Sequence, residues 1–157
     1  MRSRNRRPKF LAILVAVAVC WAAWGAPGML AKGAREFVGF YRILQATNQD
    51  DQVEVRISLR VFNYSEADVQ DATIRLVSSR PHPPGAAEPW EKEQPAFQGV
   101  TLHVHESPVV PPLEGTFTVP ALEYARWLRG AGPHFVVDYQ DASGNPQHRT
   151  IELMRGH

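Results

Sequence analysis

Cysteine is nearly missing from this chain. Cys20 is the only one in 157 residues, and it stands inside an uncharged stretch. Beyond that stretch, a thiol nucleophile, a thiolate metal site and an internal disulfide are all excluded. The short motifs that announce catalysis are missing too. There is no G-x-S-x-G elbow, no H-E-x-x-H pair and no glycine-rich loop able to cradle phosphate. No acidic residue occurs among residues 1–31. A clustered basic surface is missing from the remainder. Once Arg2, Arg4, Arg6, Arg7 and Lys9 of MRSRNRRPK are set aside, 17 − 5 = 12 basic residues face all 16 acids, a formal charge of 12 − 16 = −4. The whole-chain value of +1 therefore belongs to the first nine residues. A nucleic-acid partner is not expected, because phosphate recognition needs grouped Lys and Arg.

What is present begins with that basic stub, followed by the uncharged Phe10 to Ala31. The order follows secretory logic: positive charge stays inside and the C-terminal part is carried across a membrane. Two fates remain open. Small residues at Ala23 and Gly25 suit a signal peptidase, whose cut after Gly25 would leave a chain starting at Ala26. Alternatively the segment stays as an anchor, since its 22 residues meet the roughly 20 that a spanning helix needs. Gly25, Pro27 and Gly28 weaken the last turns of such a helix. A twin-arginine reading of Arg6-Arg7 fails at Lys9, where Phe is wanted, and a lipobox reading of Cys20 fails at Val19. The expected layout is residues 1–31 as signal peptide or transmembrane anchor, 32–36 as tether, and 37–157 as one folded domain.

Period-two alternation dominates that domain. From Val53 to Val61, Val53, Val55, Ile57, Leu59 and Val61 alternate with Glu54, Arg56, Ser58 and Arg60, which predicts a strand over Gln52 to Asn63 with one buried and one wet face. Weaker strands are expected at Phe37 to Ala46, Ala72 to Ser79, Phe97 to Glu106, Gly115 to Pro120, His134 to Asp141 and Gln147 to Arg155. Asp141 to Pro146 is turn chemistry and closes the last two into a hairpin. One short helix is expected from Pro120 to a stop at Gly130, with Leu122, Ala125 and Leu128 as its core stripe and the role of a crossover capping one end. Two proline-rich loops, Arg80 to Pro95 and Ser107 to Glu114, cannot be strands.

Seven short strands with turns between them predict a mostly β domain, a seven-stranded immunoglobulin-like β-sandwich with one short crossover helix, preceded by an apolar export or anchor helix. The stretches VEVRISLRVFNYSEADVQDATIRLVSS and FVVDYQDASGNPQHRTIELMR resemble the opening and the closing hairpin of immunoglobulin-like and fibronectin-type-III-like domains of exported bacterial proteins. That resemblance implies a fold far more than an activity.

Few residues suggest chemistry. His103 and His105, at i and i+2 on a strand, project to one side and could share a metal ion with a third ligand such as His82, Glu106, His134 or His148; alternation alone also places them outward. Asp138, Asp141 and Asn145 near Gly144 suggest a calcium loop, but the spacing departs from the D-x-[DN]-x-[DN]-G pattern and a solvated turn serves equally. Glu88, Glu91 and Glu93 surround Trp90, which is either a binding anchor toward a basic partner or a lid folded onto the core. Asn63-Tyr64-Ser65 is a glycosylation sequon without meaning in a bacterial chain.

The leading expectation is a non-catalytic exported or membrane-anchored envelope module, periplasmic or extracellular, that binds another protein or a surface polymer, with the loop from Arg80 to Pro95 as its contact. Residues 10–31 hold the membrane if they are not cleaved, and no cofactor is called for. Two alternatives are a metal-binding or hydrolytic β-domain using His103 and His105, and a periplasmic assembly or chaperone-like partner that offers a sheet edge to a client.

Overall fold

Alternation decides where each side chain goes. The computed structural model describes residues 36–81, 83, 86–104 and 111–156, and its strands follow the period-two pattern. Among the described residues there are seven: β1 (Phe37–Gln49), β2 (Gln52–Asn63), β3 (Val69–Val77), β4 (Ala96–Leu102), β5 (Leu113–Pro120), β6 (His134–Gln140) and β7 (Pro146–Arg155). Helix α1 (Ala121–Arg126) follows β5 and continues through a wider turn, Trp127–Ala131. The protein is mostly β with one short helix. Residues 1–31 lie outside the described residues, and no described helix is long and apolar enough to cross a membrane.

The strands form one hydrogen-bonded order, β4-β3-β6-β7-β1-β2-β5. All neighbours are antiparallel except β1 and β7, which run parallel with Val38 opposite Glu152 and Phe40 opposite Met154. The two ends of this order meet. Phe97 of β4 stands edge-on to Phe117 of β5 at 6.0 Å between ring centroids, and Phe117 is edge-on to Phe135 of β6 at 5.6 Å. The sheet thus rolls over its own inner face, nearly as a barrel. Val55, Ile57, Leu59, Ile74, Phe117, Val119, Phe135 and Val137 are wholly buried there.

Several boundaries differ from the sequence expectation: β1 runs on to Gln49 rather than Ala46, β3 ends at Val77 rather than Ser79, and β5 begins at Leu113, so Leu113 and Glu114 are strand and not proline-rich loop. Two further differences have a backbone reason. β3 begins at Val69 rather than Ala72, because a bulge at Asp71, with φ 51, lets pairing with β4 continue past it. β4 stops at Leu102 rather than reaching Glu106. The Asn63 side chain takes the Leu102 carbonyl at 2.9 Å, and the Asp68 carboxylate takes the Val104 amide at 2.9 Å. Those backbone groups are then lost to a ladder. Asn63 also donates to the Ala67 carbonyl and is 1% exposed, so the sequon asparagine is a structural tie and not an accessible acceptor.

The helix corrects the expected stripe. Leu122 and Leu128 are 58% and 59% exposed, whereas Glu123 and Trp127 are buried. Helix and stop stand where Pro120 and Gly130 indicate, Gly130 taking φ 109. The buried face is instead chosen by a carboxylate with partners inside. Replacing Leu122 or Leu128 with Ala is accordingly expected to change stability by about 0.5 kcal/mol or less in urea melts. A loss of a few kcal/mol would restore the leucine stripe.

Candidate functional site

On β3, β6 and β7 the residues between the core positions form an outer face. Ile74, Leu76, Phe135, Val137 and Ile151 point inward and are buried. Arg75, His134, Val136, Asp138, His148 and Thr150 therefore point outward. The register sets Asp138 opposite His148, and Arg75, opposite Val136, diagonal to Asp138, so charged groups line up across three strands. Asp138 holds this row together. Its Oδ2 accepts from Arg75 Nε and its Oδ1 meets His148 Nδ1, both at 2.6 Å. Burial pushes the Asp138 carboxyl up, but the hydrogen bonds and charges of Arg75 and His148 outweigh it and hold the group below the usual aspartate range. No hydroxyl is hydrogen-bonded to His148 among the described residues.

The proline-rich loop forms a wall above this face. Between them lies a half-open depression of about 560 Å³, with Arg75, His134 and His148 on the floor and Arg80, Pro81 and Pro83 on the side. Val136 faces outward yet is only 4% exposed, being covered here rather than in the core.

Three side chains pin the loop. Glu91, in the 3-10 turn Pro89–Glu93, is 8% exposed and accepts the Ser78 amide at 2.9 Å. Gln94 bonds both the amide and the carbonyl of Thr118, at 3.0 and 2.8 Å, as a neighbouring strand would. Trp90 packs half-buried against the core. Beside them Glu123 of α1 accepts the Ser79 amide at 2.8 Å, the Trp127 indole N–H at 3.0 Å and Arg126 Nη1 at 2.8 Å. Burial pushes the Glu123 carboxyl up, yet the hydrogen bonds from Ser79, Trp127 and Arg126 together hold it below the usual glutamate range. The Ser79 hydroxyl is buried beside this carboxylate, outside direct hydrogen-bond geometry to any described group. Successive amides at the end of β3 are thus taken by successive buried carboxylates, one from the loop and one from the helix.

The residues singled out in the sequence are dispersed. Trp90 takes the lid position, Glu91 turns inward, Glu88 supplies the carbonyl that receives the Glu91 amide, and Glu93 is exposed. His103 pairs through Nδ1 with Asp68 Oδ2 at 2.9 Å, near the turn after β2. His82, His105 and Glu106 lie outside the described residues. His134 and His148 line the depression, and no group of three metal-ligating side chains occurs among the described residues. Asp138 and Asp141 serve different structures. Asp141 accepts the amides of Ser143 and Asn145 and the Gln147 side chain, and the Asn145 amide leads in holding its carboxyl below the usual range. It shapes the hairpin turn.

Sequence reasoning missed Arg75 and Glu123. Arg75 carried the signal of an outward position on a strand whose inward neighbours are Ile74 and Leu76. Glu123 carried only its i, i+4 spacing to Trp127.

No protein-family model matches this chain, and no curated protein matches it. Among solved structures it is similar to a GH20 exo-β-N-acetylglucosaminidase from Vibrio harveyi, in complex with N-acetylglucosamine and as an inactive mutant, each with 14% identity and a TM-score of 0.35. Each match covers 76% of this chain and 18% of the enzyme, so the chain spans less than a fifth of that protein's length.

Proposed function

We propose that this protein is a non-catalytic module of the bacterial cell envelope, exported or held in the membrane by residues 10–31, which binds another protein or a surface polymer in the depression beneath its proline-rich loop. The observation that carries this reading is the pinning of the loop. A 16-residue connection is long for a plain link. Here it is fixed by Glu91, Gln94 and Trp90, so little freedom is lost when a ligand settles against it. Its walls mix apolar Pro81, Pro83 and Val136 with the donors of Arg75, His134 and His148, a combination suited to carboxylate- or hydroxyl-bearing ligands.

We further infer an immunoglobulin-like or fibronectin-type-III-like sandwich. Supporting it, β4-β3-β6-β7 and β1-β2-β5 face each other as two halves joined through the parallel β1–β7 pair. Among the described residues no observation favours the metal-binding or hydrolytic alternative. The edge-offering alternative has less to work with, since Gln94 occupies Thr118 on the free side of β5 and Pro120 has no N–H to give.

Co-sedimentation with isolated cell-wall polymer, and site-specific photo-crosslinking from His148 in intact cells, test the reading. A His148→Ala, Arg80→Ala double variant with unchanged melting is expected to lose roughly tenfold in capture, as for two polar contacts at a binding centre. Capture that is indifferent to both residues would remove the depression as the binding site.

A further inference from the structure

The outward side of β1, β2 and β7 carries what an outward side rarely has. Val38, Phe40, Phe62, Tyr64 and Met154 sit together there. Val38 is directly opposite Phe62 on β2, and Phe40 is directly opposite Met154 on β7. The Phe40 and Phe62 rings meet edge-on at 5.9 Å, and the Phe62 and Tyr64 rings stack at 6.3 Å. Phe40 is 38% exposed, Tyr64 51% and Met154 46%. A contiguous aromatic patch of this kind, away from the core, marks an interaction surface.

We infer that this face lies on an anionic lipid bilayer, its aromatic residues at headgroup depth, as the surface on which the domain rests against its own membrane. Three observations select that occupant. The first is where the undescribed chain joins: the patch gathers at the start of β1, the end of β2 and the end of β7, around Phe37, the first strand residue. Residues 32–36 span at most about 18 Å when fully extended, so an anchor ending at residue 31 would keep this end of the domain close to the lipid surface. The second is composition. Phe and Tyr with exposed Met resemble the aromatic girdle of membrane interfaces, where an apolar ring meets a wet boundary. The third is charge. Arg60 stands directly opposite Phe40, and Arg42 is its diagonal neighbour on the same exposed face, beside Glu152 opposite Val38 and Glu114 opposite Ser58, the latter paired with Arg56. A domain of net negative charge thus turns arginines outward beside its aromatic patch, which suits anionic headgroups. The inference rests on residues 10–31 being a retained anchor.

The test uses the full chain carrying Cys20→Ser, reconstituted in phosphatidylglycerol-rich vesicles, with an environment-sensitive fluorophore on Met154→Cys or on Gln98→Cys, an exposed position of β4, three strands from β7 in the order. Brominated lipid is expected to quench the Met154 label at least about twofold more than the Gln98 label, and Arg42→Glu with Arg60→Glu to abolish most of the difference. Equal quenching at both sites in chains that float with the vesicles overturns the docking face while leaving the anchor intact. A Met154 label that is shielded but insensitive to brominated lipid also overturns it, because a second copy, another protein or the chain's own N-terminal segment then covers the patch. Failure of the chain to float refutes the retained anchor and the docking face with it.

Discussion

Replacing Leu59 with Ala is expected to destabilise the domain by about 2–5 kcal/mol, the largest single effect anticipated here. Leu59 is fully buried on β2, which is hydrogen-bonded on both sides, with Tyr41 opposite it on β1 and Leu113 opposite it on β5. A truncated side chain there cannot be replaced by movement of its own strand, because two ladders hold that strand in register. The cavity therefore adds to the lost transfer free energy. One residue further along, Arg60 points out and is exposed. Arg60→Ala is expected to shift stability by about 0.5 kcal/mol or less. Arg56 is outward as well and pairs with Glu114 at 2.7 Å, an ion pair about half exposed and worth little. Urea denaturation of Leu59→Ala, Arg60→Ala and Arg56→Ala measures the contrast. Comparable losses at Leu59 and Arg60 would mean that β2 does not have one dry and one wet face.

Replacing Glu123 with Ala is expected to cost about 2–4 kcal/mol, because two donors, the part-buried Ser79 amide and the buried Trp127 indole N–H, lose their acceptor at about 1–3 kcal/mol each. Arg126 is a fifth exposed and can turn to water, so it adds less. Glu123→Gln keeps an acceptor in place and is expected to cost roughly 1 kcal/mol. The two variants separate a hydrogen-bonding role from a purely electrostatic one. The same carboxylate makes stability depend on pH. Its folded-state pKa is depressed, so as pH falls the unfolded chain takes up the proton first. The stabilisation is complete above the ordinary glutamate range and is lost as pH drops through the lowered folded value. Asp68, Asp138 and Asp141 are depressed in the same direction, so acid sensitivity is shared. Asp68 and Asp141 lie at exposed sites and contribute less through solvent screening. Thermal melts between about pH 7 and pH 3 are expected to show a smaller acid loss for Glu123→Gln than for the parent protein. An identical loss in both would place the acid sensitivity elsewhere. A larger destabilisation by Leu122→Ala than by Glu123→Ala would reverse the assignment of the helix's buried face.

The loop and the helix act on one another through β3. Ser78 and Ser79 follow directly on that strand, and their amides go to side chains and not to a ladder. Glu91 and Glu123 satisfy them from two directions, so the proline-rich wall and the crossover helix are fastened to the same two residues. A buried amide without a partner is costly, and this makes the position of the wall a consequence of strand chemistry. The depression above Arg75, Asp138 and His148 keeps its shape for the same reason. An acidic loop was legible in the sequence. That one of its acids is consumed inside the fold was not.

What the sequence by itself determined is the set of elements whose signal is local. Strict alternation from Val53 to Val61 placed β2 from Gln52 to Asn63, as found, because side chains of period two have only one way to bury one face. Asp141 to Pro146 closed the β6–β7 hairpin, and Pro120 with Gly130 bounded the helix, since turn and cap preferences act within a few residues. What only the tertiary structure decided are the pairings of residues distant in the chain. The parallel β1–β7 ladder and the pairing of Arg75 with Asp138 depend on which distant strands pair, and the meeting of Phe97 with Phe117 on how the sheet rolls. The helix shows the division most sharply. Its residues alone favour Leu122 and Leu128 inward, by apolarity. The fold buries Glu123 and Trp127 instead, because the amide at Ser79 needs an acceptor and no local pattern can announce a need that arises 44 residues away.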